Sequence, residues 1–184
     1  MEQLAERLAR GDGAAWAQLY KEHKNGVIGL CLAYLYNRED ALDAAEEAFV
    51  KAMKNAASIQ RTGNVRAWLY TIAANTCKDL IRKQKRGRVW LKKWITNNRD
   101  NFAAPAPDAI AAQDDKEAGV RAAIAQLVET YRIPLVLRFY DDLDYDEIAE
   151  ALSQIEGVEV KRGTVASRLN RAKQQLKVIL EGTP

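Results

Sequence analysis

The sequence predicts an all-α protein: two small helical domains joined by a flexible linker, the C-terminal one a helix-turn-helix. Three observations carry that expectation. Apolar residues recur at helical spacing along most of the 184 residues, and strand-like alternation is rare. Cap-forming residues and glycine- or asparagine-containing breaks punctuate the periodic runs. Between residues 88 and 115 the periodicity lapses, and Asn97, Asn98, Pro105 and Pro107 accumulate before it resumes. The chain therefore divides into residues 1–93, a linker 94–115 and residues 116–184.

Taken in order, Asp12 is placed to cap a helix that runs to about Tyr36, with Trp16, Leu19, Tyr20, Val27, Leu30 and Tyr34 on its buried stripe. Residues 37–40 break the pattern. A second helix spans about 41–56 and buries Leu42, Ala45, Phe49 and Met53. Residues 58–64, with Gly63 among them, read as a loop. A third helix, from 65 to about 85, puts Trp68, Leu69, Ile72, Thr76 and Leu80 on one face, and the linker has a helical start over 90–95. Beyond the linker, helices are expected over 118–130, 134–141, 144–153 and 164–180. Pro134 is set at a helix start, because proline suits the first turn and damages an interior.

Composition bounds the chemistry. The chain is 48% apolar and 29% charged, enough for real cores and a solvated surface. A formal net charge of +3 does not by itself argue for a nucleic-acid partner, so the placement of charge decides. No apolar run reaches the roughly 18 residues of a membrane span, and residues 1–10 lack the apolar core of a signal peptide. Cys31 and Cys77 read as reduced core thiols, and the expected location is the cytoplasm. With one histidine, His23, a cysteine/histidine metal site has too few ligands. Asp142, Asp144 and Asp146 alternate like the opening of a calcium loop, but Glu147 and Ser153 occupy its glycine and glutamate positions. No metal, cofactor or small-molecule substrate is expected, and no paired carboxylates with a histidine base suggest an enzyme such as a nuclease.

Two stretches point to nucleic acid. In residues 144–176, a short helix with Ile148, Ala149 and Leu152 inside leads, through a connector holding Gly157 and Gly163, to a second helix capped by Thr164. Val165, Leu169, Ala172 and Leu176 form its buried side, so Ala166, Ser167, Asn170, Arg171 and Gln174 face outward. Small polar residues and an arginine on such a helix suit the major groove. Lys161, Arg162, Arg168 and Lys173 flank that face and suit phosphates, which position a protein without specifying sequence. Upstream, Lys78, Arg82, Lys83, Lys85, Arg86, Arg88, Lys92 and Lys93 stand against a single acid, Asp79. A run so one-sided favours a polyanion over a plain solvated face.

Glu147-Ile148-Ala149, Gly163-Thr164-Val165, Ser167-Arg168-Leu169 and Arg171-Ala172 resemble the signature of the fourth conserved region of sigma-70 family RNA polymerase factors. Residues 131–138 are similar to the segment that precedes it. Ala41-Leu42-Asp43, Glu47 and Phe49-Val50-Lys51-Ala52 resemble the second-region helix that docks on the polymerase. Residues 67–73, with Asn75, Asp79 and Arg82, resemble the promoter-opening helix. The short length, and a plain linker in place of a third domain, resemble the extracytoplasmic-function group. Glu46, Met53 and Ala166 depart from the pattern, standing where glutamine, tryptophan and a basic residue are common. The connector 154–162 is longer than the family's usual tight turn.

The resemblance implies a factor that binds core RNA polymerase, directs it to −35 and −10 promoter elements and assists DNA opening. It implies docking on the clamp of the polymerase's largest subunit through Asp43, Glu46, Glu47, Val50 and Lys51. It implies −10 contacts from Asn64, Tyr70, Asn75, Lys78, Arg82, Lys83 and Arg86, with a flipped base held between the 58–64 loop and Asn75. It implies −35 contacts from Arg162, Thr164, Ser167, Arg168, Asn170 and Arg171, and an anti-sigma factor as a further partner. The alternative is a stand-alone helix-turn-helix regulator, which explains the C-terminal half but not the docking and opening motifs.

Overall fold

The structure is a computed structural model that describes residues 2–61, 64–97 and 115–182, with side chains for 4–59, 64–85, 119, 120 and 122–182. Among the described residues it holds eight α-helices and one 3-10 helix, with no strand. The helices are α1 (Glu2–Ala9), α2 (Gly13–Leu35), α3 (Arg38–Lys54), α4 (Val65–Asn97), α5 (Asp115–Gln126), α6 (Glu129–Asp141), α7 (Tyr145–Glu156) and α8 (Arg162–Glu181).

In the first unit, Asp12 caps α2 by accepting from Ala14 N at 2.9 Å and Ala15 N at 3.3 Å. Its bond from Arg7, and then those backbone N–H groups, hold its carboxyl below the usual range. Tyr36 ends α2 in the left-handed region, at φ 59°, and Asn37 opens α3 at once by accepting from Glu39 N and Asp40 N. Residues 37–40 therefore start the second helix three residues earlier than its apolar pattern does. Its core side is Ala41, Ala44, Ala45, Ala48, Phe49 and Ala52. Leu42 and Met53, expected inside, are exposed, because a face of alanines brings α3 close to α2 and α4 and leaves no depth for longer chains. Tyr20, also expected inside, is exposed and meets the Phe49 ring edge-on with centroids 4.9 Å apart.

The predicted loop over 58–64 contains a 3-10 helix, Ala56–Arg61, anchored where buried Trp68 donates through Nε1 to Ser58 Oγ at 2.9 Å. Asn64 then caps α4, accepting from Arg66 N at 3.0 Å and Ala67 N at 3.1 Å. α4 continues to Asn97, beyond the helix end expected near residue 85. The remainder of the predicted linker, 98–114, lies outside the described residues.

In the second unit α6 begins at Glu129, five residues before Pro134, which sits inside it. The proline removes a donor to the Thr130 carbonyl, but Thr130 is exposed in the first turn, where water can take its place. Buried Arg132 ties the α5–α6 corner: its guanidinium donates to the carbonyls of Leu127 and Ala125 and lies 4.8 Å over the Tyr36 ring.

The two units are not held apart. α2 packs on α6 and α4 on α7, and one apolar cluster runs through both. The second half of α2 (Gly26, Val27, Gly29, Leu30, Cys31, Ala33, Tyr34) is buried on nearly every side, as a helix between two layers must be.

Candidate nucleic-acid interface

The helix-turn-helix is built by three local devices. Asp144 and Glu147 form a capping box: Asp144 Oδ1 accepts from Asp146 N and Glu147 N, both at 2.9 Å, and Glu147 Oε2 accepts from Asp144 N at 2.9 Å. The Glu147 N–H, with that of Asp146, holds the Asp144 carboxyl below the usual range. α7 runs on to Glu156 and ends at Gly157, whose φ of 72° suits glycine, so the connector shrinks to residues 157–161. Ser153 Oγ bridges it, donating to Ala149 O at 2.7 Å and accepting from Val160 N at 2.8 Å. With Val160 pinned and buried, α8 starts at Arg162 behind an N-cap at Lys161, and Thr164 falls inside the first turn instead of capping it.

α8 then presents two faces. Val165, Leu169 and Ala172 are buried and Leu176 is half-buried. Thr164, Ser167, Asn170, Arg171 and Gln174 are exposed, and Ala166 is half-buried. Arg171 donates to the Tyr131 hydroxyl at 3.3 Å. Arg168 holds Glu156 at the end of α7, and Arg162 holds Asp146 with its guanidinium 5.7 Å over the Tyr145 ring. These two arginines brace α8 against α7 with exchangeable ion pairs, while Lys161 and Lys173 are exposed.

On α4, Asn75, Arg82, Lys83 and Lys85 are exposed, and Arg82 pairs with Asp79 at 2.7 Å. The exposure of Asn75 argues against a structural hydrogen-bonder inside the bundle. The side chains of Arg86, Arg88, Lys92 and Lys93 lie outside the described residues. Lys78 is spoken for: its Nζ donates to Ile155 O at 2.9 Å. Tyr70 is fully buried, its hydroxyl beside Gly26 and Asp141, and does not face outward in this arrangement. Burial, followed by the Asp141 charge, pushes its pKa well up.

α3 carries the third surface. Asp43, Glu46, Glu47 and Val50 are exposed and Lys51 is half-buried, bonding Glu47 at 2.9 Å. Leu42, Val50 and Met53 stand among these charges at 37%, 48% and 55% exposure. Among the described residues no group of three or more histidine, cysteine, aspartate or glutamate side chains could hold a metal, and no helix is long and apolar enough to cross a membrane.

Sequence reasoning missed the residues that join the two units: His23, Arg66, Asp141 and Glu147. His23 Nδ1 lies 2.7 Å from Asp141 Oδ2, and Arg66 bonds both Glu147 oxygens, at 2.9 and 3.0 Å. As a set they leave no pattern in the sequence beyond polar residues at the edges of apolar stripes, which is too common to single them out.

An exposed apolar patch on α3, exposed cations on α4 and a helix-turn-helix together are parts that suit a DNA-binding transcription factor. Two family models match, Sigma-70 region 2 over residues 19–87 and Sigma-70, region 4 over 118–176. The RNA polymerase sigma-H factor of Pseudomonas aeruginosa is 30% identical over 98% of this chain and 93% of its own. The ECF RNA polymerase sigma factor SigE of Mycolicibacterium smegmatis is 32% identical over 92% of this chain and 64% of its own. In fold, the chain is similar to the sigma factor RpoE of Bartonella quintana, solved with the anti-sigma factor NepR. The TM-score is 0.63 at 20% identity, covering 91% of this chain and 98% of that one. The chain belongs to the sigma-70 family of RNA polymerase sigma factors, in the extracytoplasmic-function group. It is a transcription initiation factor that directs RNA polymerase to promoters.

Proposed function

We propose a division of labour among three helices. α3 docks on the clamp of the polymerase's largest subunit, with Leu42, Val50 and Met53 as the apolar centre and Asp43, Glu46, Glu47 and Lys51 as the polar rim. α4 carries the −10 work: Arg82, Lys83 and Lys85, with Arg86, hold the strand by charge, and exposed Asn75 meets a base drawn from the stack. α8 reads the −35 element through Ser167, Asn170 and Arg171, with Thr164 at its leading turn and Arg162 and Arg168 exchanging their carboxylate partners for phosphates. Lys78 joins the −10 surface only when its bond to Ile155 is released, and Asn64 acts by fixing the start of α4. Tyr70 serves as a core support for that helix. Residues 1–93 and 116–184 are the two working regions, and 94–115 tethers them.

The observation that carries this reading is the outer face of α3. Its alanines and Phe49 face inward while Leu42, Val50 and Met53 stand exposed among acids. The protein works in the cytoplasm and performs no chemistry of its own, needing neither cofactor nor small-molecule substrate. The Bartonella complex supports an anti-sigma factor as a further partner. A charge placed in the apolar centre tests the docking assignment. Val50→Asp should abolish co-elution with core polymerase without lowering the melting temperature, because Val50 lies outside the core. Undiminished binding would put the docking surface elsewhere.

A further inference from the structure

The arginines of α8 are held in two different ways. Arg162 is paired with Asp146, and Arg168 bonds both carboxylate oxygens of Glu156. Each of these pairings sets the positive charge against an anion, so a phosphate must displace a carboxylate before it gains the contact. Arg171 is treated otherwise. It donates through Nη1 to the Tyr131 hydroxyl at 3.3 Å, a neutral acceptor. A phenol orients a guanidinium without cancelling its charge, and this bond raises the Arg171 pKa above its ordinary value. A guanidinium carries five N–H donors in a planar fork. With one given to Tyr131 through Nη1, the Nε–Nη2 edge stays open, and that edge can meet O6 and N7 of a guanine in bidentate fashion.

The hydroxyl stands on a fixed mount. Tyr131 lies in the first turn of α6, half-buried against the apolar cluster, and its backbone N–H donates to Val128 O at 3.0 Å. Its neighbour Arg132 is the buried guanidinium that ties the α5–α6 corner through the Leu127 and Ala125 carbonyls. On the other side, Leu169 and Ala172 are buried on either flank of Arg171 and fix the backbone of α8 there. The bond therefore joins two braced elements across 40 positions of sequence. A free arginine on a surface samples many rotamers and pays to be ordered when it binds, whereas a side chain ordered beforehand does not pay again.

We propose that Tyr131 sets the specificity of the −35 contact by holding the Arg171 guanidinium in the pose from which it reads a guanine. Tyr131 touches no base and acts through Arg171, which makes it a positioning residue outside the helix that enters the groove. Its role rests on the assignment of Arg171 to the reading face made above. Arg162 and Arg168, held by carboxylates, supply affinity that is the same for every sequence once their partners are exchanged for phosphates. Arg171, held by a phenol, supplies the discrimination.

Tyr131→Phe deletes the hydroxyl and keeps the ring. The full chain, assembled with core polymerase, is bound to promoter fragments that carry each of the four bases at the −35 position where Arg171→Ala loses discrimination. Tyr131→Phe should lower the preference for guanine at that position about two- to ten-fold, the worth of one hydrogen bond, and leave core affinity unchanged. Preference is a ratio taken on one protein, so any fraction that fails to fold cancels from it. The double variant Tyr131→Phe with Arg171→Ala should discriminate no worse than Arg171→Ala alone, because the two side chains act as one unit. Losses that add in the double variant would overturn the proposal, since the hydroxyl would then act on DNA by itself. So would an equal loss for all four bases, which marks a phosphate contact, or a gain in affinity, which marks a bond that DNA must break. Preference lost in Arg171→Ala but kept in Tyr131→Phe would overturn the positioning role alone. An Arg171→Ala variant that discriminates like the wild type at every −35 position would sink the reading assigned to α8, and the role of Tyr131 with it.

Discussion

Leu169 and Arg171 are two positions apart on α8, and the structure assigns them opposite faces with different consequences. Leu169 is 1% exposed, between Val165 and Ala172 in the core of the second unit. Leu169→Ala removes three carbon groups, about 2.4 kcal/mol at ~0.8 kcal/mol each. The cavity left behind brings the cost into the range of about 2–5 kcal/mol. For a protein of this size, each kcal/mol moves the melting temperature by about 2–4 °C, so a fall of roughly 4–20 °C is expected. Arg171 is exposed, and its one bond, to the Tyr131 hydroxyl, is long at 3.3 Å. Arg171→Ala should cost less than about 1 kcal/mol of stability. If Arg171 makes a bidentate base contact, its removal should weaken one −35 position by about 1–3 kcal/mol while sparing core binding. Calorimetry and promoter-variant binding separate the two. Equal melting temperatures for both variants would show that α8 is rotated from the facing described above.

Other expectations concern the same surfaces and the core beneath them. Lys83→Ala with Lys85→Ala should reduce the salt slope of holoenzyme–promoter affinity by up to about 1.8, or ~0.9 for each phosphate that is no longer neutralised; an unchanged slope would make the run a solvated face. Asn75→Ala should leave the melting temperature and closed-complex affinity alone but reduce permanganate-reactive thymines at the −10 element, and undiminished reactivity would remove Asn75 from the opening step. Burial pushes the Tyr34 and Tyr70 hydroxyls above their ordinary value of 10.0, so the fold favours their neutral forms. Stability should therefore be intact below that value and decline as pH rises past it, and denaturant midpoints that stay level above pH 10 would contradict the burial.

Periodicity made most of the helices legible, and Asp12 marked the start of α2 because a cap is a local event. It failed where packing geometry decides. Leu42 and Met53 are more apolar than the alanines beside them, yet a close helix crossing favours the alanines and leaves the larger residues exposed. Pro134 read as a helix start because its missing donor was weighed without knowing that Thr130 is exposed. Thr164 read as a cap because the Ser153–Val160 bridge, which sets where α8 begins, joins residues seven positions apart. The grip of Arg66 on Glu147 crosses 81 positions and leaves no periodic trace. The exposed polar side of α8 and the exposed cations Arg82, Lys83 and Lys85 of α4 were legible because both are local patterns on single helices. The bonds of Thr71 and Lys78 on α4 to the second unit were not.

Transcription of fragmented genomic DNA by purified core polymerase, with and without this chain and with every 5′ end mapped, tests the central claim most directly. The account predicts a discrete set of new start sites that share −35 and −10 elements at fixed spacing, present with the wild-type chain and absent with Val50→Asp. Start sites indifferent to the chain would contradict it, as would a defined set that survives Val50→Asp.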